Sequence, residues 1–364
     1  MVRTSLYSRQ QKMGATFSDF HGWELPVRYS SFEAEHVAAT LRVALRDASA
    51  GGRLMLRGPD ALDLLHRLST NDLLALKPGE GTRTVLTNNK GRVLDLLRVY
   101  YVGDYLLVYT SPQRLQKVIE WIDLYTFLED LTVTDITADT LVLELVGPNG
   151  AALLEHFTEG NVSLQPGGVI VDSVHGIPVT IFRDDSLGLE SYGLMVGADS
   201  AVSLWEDVLE QGQLWELSPM GSEVHEVLRI KAGLPMYGQE LTEQVNPLEA
   251  GLRPSISFTK GCYIGQEVVL RLDTFRKVQR HLVRLDIEGQ GVPSIGDKLL
   301  VDGKTVGTLT SIGKIQPQQN IIALALIRTA YDQPGQELEI ASQAHHWIGR
   351  VISLDQYALE GSGV

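Results

Sequence analysis

The residues best suited to chemistry stand in one short run, Lys260-Gly261-Cys262-Tyr263-Ile264-Gly265-Gln266-Glu267, which holds the only cysteine of the chain. Two glycines bracket the thiol and a lysine precedes it by two positions, which reads as a tight turn entering a helix with Cys262 near its N-terminal end. A helix N-terminus and a nearby ammonium both favour thiolate. A second reading stands beside it, a buried cysteine packed as a small hydrophobe. Asp95 is the next odd residue, an acid inside the apolar run Val93-Leu94-Asp95-Leu96-Leu97. An unpaired carboxylate is costly there, so it must face solvent, meet a cation or line a cavity. Arg229, in the apolar helical stretch 227–233, is either an exposed helix position or a partner for a buried carboxylate. Arg271, Arg276, Lys277, Arg280 and Arg284 form a local basic cluster, suited to carboxylate or phosphate groups or to a solvated junction between domains.

Other chemistry is excluded by what the chain lacks. Gly303-Lys304-Thr305 is no phosphate loop, because the glycine needed five positions earlier is Lys298 and the segment sits in a hairpin. The pair His345-His346 cannot share a metal from one strand, since neighbours point to opposite faces. One cysteine rules out an internal disulfide or an all-cysteine metal cage, and no metal site is expected. With 45 acidic against 31 basic residues the net charge is −14, which disfavours general nucleic-acid binding. No stretch approaches the ~18 unbroken apolar residues of a membrane span. The first residues lack the apolar core of a signal peptide, so a cytoplasmic protein is expected, and a monomer is expected alongside.

These residues need a scaffold, and 364 residues, 44% of them hydrophobic, allow two or three domains. Ser30-Ser31 caps a first helix. The run Leu54-Met55-Leu56-Arg57-Gly58-Pro59 leads from a strand into an amphipathic helix, and Leu143-Glu144-Leu145-Val146-Gly147-Pro148 repeats this 89 residues later. Leu106-Leu107-Val108-Tyr109, capped by Ser111-Pro112 into a helix through Trp121, is echoed by Leu194-Met195-Val196 and a helix through Trp205. A shared offset points to two similar α+β units, at about 50–135 and 138–215, within a region spanning 1–278. Beyond it, short alternating strands with Gly-rich turns, among them the hairpin signal Asp302-Gly303, predict a small β-barrel over 279–364. The punctuated segment 234–257 is expected to wrap across the units and line a site.

Several segments together resemble a known family. Phe20-His21-Gly22-Trp23-Glu24-Leu25-Pro26-Val27-Arg28-Tyr29, Ser69-Thr70-Asn71-Asp72, the run 88–97, the run 228–233 and Tyr237-Gly238-Gln239-Glu240 are similar to the glycine-cleavage aminomethyltransferases (T-proteins). The run 260–267 resembles the hallmark of the YgfZ branch, folate-binding proteins that assist iron–sulfur enzyme assembly or repair. The resemblance spans nearly the whole chain and implies paired ferredoxin-like units around a central folate channel, closed by the β-barrel. It implies tetrahydrofolate as cofactor, with Cys262, Asp95 and Lys260 as chemical residues. It further implies Asp95, Arg229, Glu190, Tyr237, Tyr263 and Gln266 as folate contacts, and iron–sulfur proteins or cluster carriers as partners. Two departures accompany it. Asp95 matches the first acid of the family's Asp-Asp pair, while Leu96 stands at the second. Leu189 stands where the family carries a pterin-facing glutamate, with Glu190 one residue away. The expected function is therefore YgfZ-like folate-dependent iron–sulfur maintenance. The alternatives are folate-dependent aminomethyl transfer or demethylation, and a non-catalytic folate scaffold.

Overall fold

The computed structural model describes residues 1–158, 162–316, 319–341 and 347–352, so His345 and His346 lie outside the described residues. Two mixed α/β units form its centre. The first runs strand Arg53–Arg57, helix Ala61–Leu68, strands Gly81–Thr87, Val93–Tyr101 and Leu106–Tyr109, helix Leu115–Leu124 and strand Thr132–Asp135. The second repeats this order with strand Thr140–Val146, helix Gly150–Phe157, strands Val169–Val174, Ile177–Arg183 and Ser191–Gly197, helix Ala201–Gln211 and the short strand Ser218–Pro219. In each sheet the fourth strand of the unit lies beside the first, the arrangement of a ferredoxin-like unit with one added edge strand. The second sheet differs by one insertion, Ala44–Asp47, which slots between its first and last strands.

The repeated Gly-Pro turn has a steric cause. Gly58 has φ 122° and Gly147 φ 128°. A side chain would strike the Asp130 carbonyl oxygen at 2.2 Å in the first case and the Arg42 carbonyl oxygen at 2.6 Å in the second. Both helices start two residues past the proline, so the proline precedes the helix rather than opening it. The first helix of the chain that the serines predict is Phe32–Leu41, and the Ser31 side chain accepts a hydrogen bond from the Ala34 N–H. The Ser111-Pro112 prediction is corrected: the helix begins at Leu115 with Arg114 ahead of it, because the Ser111 N–H is drawn to Asp95.

Each sheet buries one face under its own two helices. The opposite faces meet around Tyr100, Tyr109 and Phe182, whose rings lie 4.9–6.1 Å apart by centroid. A separate closed barrel of six strands, Arg280–Gly289, Asn320–Arg328, Lys304–Ile315, Lys298–Val301, Glu337–Ile340 and Trp347–Ile352, carries its own apolar interior. The Asp302-Gly303 turn joins two of them, as the sequence predicts. Helix Ser222–Lys231 joins barrel to core, packing Val227 and Ile230 near Gly313.

Candidate ligand-binding site between the two sheets

Strand Val93–Tyr101 decides which side chains reach the interior. Thr87 pairs with Val93 but Leu86 pairs with Asp95, so Leu94 is an extra residue that shifts the alternation. Beyond it Asp95, Leu97 and Val99 share the helix-facing side, opposite Leu86, while Leu96, Arg98 and Tyr100 share the other. This corrects the placement of Asp95. Its carboxylate is fully buried beneath the Ser111 turn, accepting hydrogen bonds from the Leu96 N–H at 2.9 Å and the Ser111 N–H at 3.0 Å. Burial pushes its pKa up to about 6, against the pull of Ser111 and Arg114. Arg114 in turn lies 4.2 Å from the Tyr237 ring centroid and 3.4 Å from Glu243. Asp95 and Tyr237 therefore share a neighbour, and neither lines the cavity that opens between Arg98 and Asp184.

That cavity, about 470 Å³, opens between the two sheets. Thr82, Arg83, Arg98 and Tyr100 come from the first sheet, and Arg183, Asp184, Asp185, Leu189 and Glu190 from the second. Asp184 accepts both contacts of Arg83 at 2.9 Å and one of Arg98 at 3.1 Å. Burial alone would raise its pKa, but the two guanidiniums outweigh it and hold the carboxyl well below the usual range. Arg98 spends one nitrogen on Asp184 and lies 4.6 Å from the Tyr109 ring centroid, leaving further donors for a ligand. Glu190 accepts from the Tyr192 hydroxyl and lies 3.7 Å from Arg183, so its carboxylate is at the rim but engaged.

A second cavity, about 130 Å³, shares Arg98 with the first. Arg46 and Glu144, paired at 2.6 Å, stand there with Phe182, Met236 and His225. Burial, then Arg46, Arg229 and Arg98, drives the His225 pKa far below the ordinary histidine value, so its imidazole is neutral. The two cavities give the centre of the molecule a cationic, partly aromatic interior around Arg98.

The other expected site residues lie elsewhere. Arg229 is a strut, not a free cation: all five N–H donors are committed. Glu226 takes two at 2.6 and 2.8 Å, Glu240 one at 3.1 Å and the Leu234 carbonyl one at 2.6 Å. The remaining donor reaches Ser311 at 2.6 Å and Gln239 at 3.1 Å. Lys260 is likewise structural. Its ammonium donates to the carbonyls of His66, Ser69 and Asn71 at 2.5, 2.8 and 2.8 Å, closing the C-terminal end of helix Ala61–Leu68. Desolvation lowers its pKa to about 8. Cys262 is exposed in the loop before helix Gln266–Thr274, with Gly265 and not Cys262 at the cap, and no contact ties it to the Lys260 ammonium. Tyr263 is buried beside Lys260, its ring centroid 5.3 Å from the ammonium, and its hydroxyl has no partner among the described residues. Gln266 bonds back to the Gly261 carbonyl at 3.3 Å. The basic cluster disperses: Arg280 goes to Glu249, Arg284 to the Lys231 carbonyl, and Lys277 over Phe275.

Sequence reasoning passed over Arg98, Asp184, Arg46 and His225. The alternation beyond Leu96 carried a signal for Arg98, but the extra residue at Leu94 is invisible without the pairing. Among the described residues no cluster of ligands could hold a metal ion, and no helix is long and apolar enough to cross a membrane.

Paired ferredoxin-like units, a polar cavity between their sheets and an attached six-stranded barrel define a class, and comparison with known proteins names it. Residues 6–260 match the GCVT N-terminal domain and residues 280–354 the glycine cleavage T-protein C-terminal barrel domain. The chain belongs to the glycine cleavage T-protein family. It is 34% identical to the aminomethyltransferase of Symbiobacterium thermophilum over 98% of this chain and 97% of that protein. It is 32% identical to that of Caldanaerobacter subterraneus subsp. tengcongensis over 93% and 91%. The crystal structure of aminomethyltransferase T of the glycine cleavage system from Bartonella henselae superposes with a TM-score of 0.87, covering 98% of both chains at 22% identity, a likeness of fold.

Proposed function

We propose that this protein binds tetrahydrofolate between its two sheets and acts on the one-carbon unit that folate carries, as an aminomethyltransferase. End-to-end likeness to aminomethyltransferases at 30–34% identity is the observation that carries the reading. The cavity fits the ligand: its volume of about 470 Å³ falls within the usual range for small-molecule sites. Folate needs apolar walls, acceptors for its pterin N–H edge and cations for its glutamate tail. Tyr100 and Leu189 supply walls, Asp184, Asp185 and Glu190 supply acceptors, and Arg98 and Arg183 supply cations. When bound, tetrahydrofolate supplies the nitrogens that accept the one-carbon unit. The chain's own residues bind, orient and exclude water: Asp184 fixes Arg98 toward the cavity, and neutral His225 offers a hydrogen bond without a competing charge. The lone thiol suits a reducing cytoplasm.

A second reading rests on Leu96 and Leu189. Both pack against the same buried cluster at the centre. The inward position of the family's acid pair is therefore apolar here, and so is the position of its pterin-facing glutamate. A folate-binding protein that performs no aminomethyl transfer, as in the YgfZ branch with its exposed thiol and iron–sulfur clients, follows from that. Incubation with tetrahydrofolate and an aminomethylated lipoyl carrier protein separates the two. Ammonia release with loss of the aminomethyl group supports the transferase; saturable folate binding without turnover supports the second reading.

A further inference from the structure

A groove of about 330 Å³ runs between the outer wall of the barrel and the segment 239–245, and shares no residue with the cavities described above. Two arginines stand at it in an unfavourable arrangement. Arg280 and Arg328 are directly opposite each other in the pairing of strands Arg280–Gly289 and Asn320–Arg328. Like charges in that position destabilise a sheet. Glu249 answers Arg280 at 3.1 and 3.3 Å, but it is shared with Arg92 at 3.5 Å, and Arg328 has no carboxylate partner among the described residues. One anion is missing from this balance.

Backbone irregularity points at the same place. Strand Lys304–Ile315 changes register between Leu309 and Ser311, leaving Thr310 as the extra residue of a bulge. Its neighbour Ser311 turns to Arg229, whereas Thr310, a residue 9% exposed, lines the groove with its hydroxyl closed off from solvent and without a partner among the described residues. Gln239 commits its carbonyl oxygen to Arg229, which leaves its NH₂ without a partner among the described residues. Thr308 accepts a hydrogen bond from the Lys298 ammonium at 3.2 Å, adding a third cation to the rim.

We infer that this groove is a second ligand site, which takes a small anionic molecule whose carboxylate or phosphate group bridges Arg280 and Arg328. Planar guanidiniums recognise both oxyanions, and the groove has room for a polar body beyond the charged group. In an acidic protein this face is locally reversed in sign. Occupancy would ease the Arg280 and Arg328 repulsion and tighten the barrel onto the core through Gln239, whose oxygen already touches the Arg229 network.

The test is calorimetric titration of the full chain at constant ionic strength with glutarate in one arm and inorganic phosphate in the other. Saturable binding in either arm, with Kd of ~1 mM or tighter, is expected, and the tighter arm identifies the oxyanion class. Arg328→Ala weakens it at least about tenfold, and Arg328→Lys restores part of it. Tetrahydrofolate affinity stays unchanged in both variants, which also reports that they are folded. Absence of saturation in both arms, or equal affinity in Arg328→Ala, overturns the inference without touching the folate reading.

Discussion

Asp95 and Arg229 are both buried charges, and their partners tell them apart. Asp95 has two backbone N–H donors but no ion pair among the described residues, so its carboxyl keeps a proton up to about pH 6. An unfolded aspartate loses it near pH 4. Between those values the folded state holds the proton that the unfolded state has released, so stability falls as pH rises through the window, by about 3 kcal/mol in all. Urea midpoints measured from pH 4 to 7 are expected to show this decline in the wild type and to lose it in Asp95→Asn; parallel slopes would contradict the account. Arg229 is the opposite case. Arg229→Met strands Glu240, which is wholly inaccessible, and is expected to cost about 3–5 kcal/mol in urea unfolding. A cost near zero would show that Arg229 is not the strut described here.

At the scale of elements, the run 260–267 is a structural clamp before it is anything else. The Thr87 hydroxyl donates to the Ile264 carbonyl at 2.5 Å, and Lys260 closes the helix end beside it. Gly265, at φ 84°, approaches so closely that a Cβ would meet the Asn88 carbonyl oxygen at 2.5 Å. Gly265→Ala is expected to cost about 1–3 kcal/mol and to speed amide exchange at Ile264. Unchanged exchange would sink the clamp. Lys260→Met is expected to lower stability by about 2–3 kcal/mol while leaving the alkylation rate of Cys262 unaltered, because the ammonium serves carbonyls and not the thiol. A slowed thiol would restore the activated-cysteine reading. The sequence marked this run as a chemical centre, since its glycines, lysine and lone cysteine have unusual local composition. What it could not convey was direction, because the carbonyls that hold Lys260 lie about 190 residues earlier in the chain.

Across the whole molecule, the duplicated units and the barrel were legible because turn residues and hydrophobic alternation are local signals. The 89-residue echo of the Gly-Pro turns marks a real repeat of element order, and the Asp302-Gly303 turn marks a real hairpin. The inserted strand Ala44–Asp47 was not legible, since pairing with strands about 100 and 170 residues away leaves no trace in its own composition. The cavity was hidden for a similar reason: Arg83 and Arg98 meet Asp184 only when the two sheets face each other. That meeting is the central claim, a folate site built on Arg98 between duplicated units. Calorimetric titration of the wild type and of Arg98→Ala with tetrahydrofolate tests it most directly. The account predicts one saturable site in the wild type, weakened at least about tenfold in Arg98→Ala. Absence of binding in the wild type, or equal affinity in the two proteins, would contradict it.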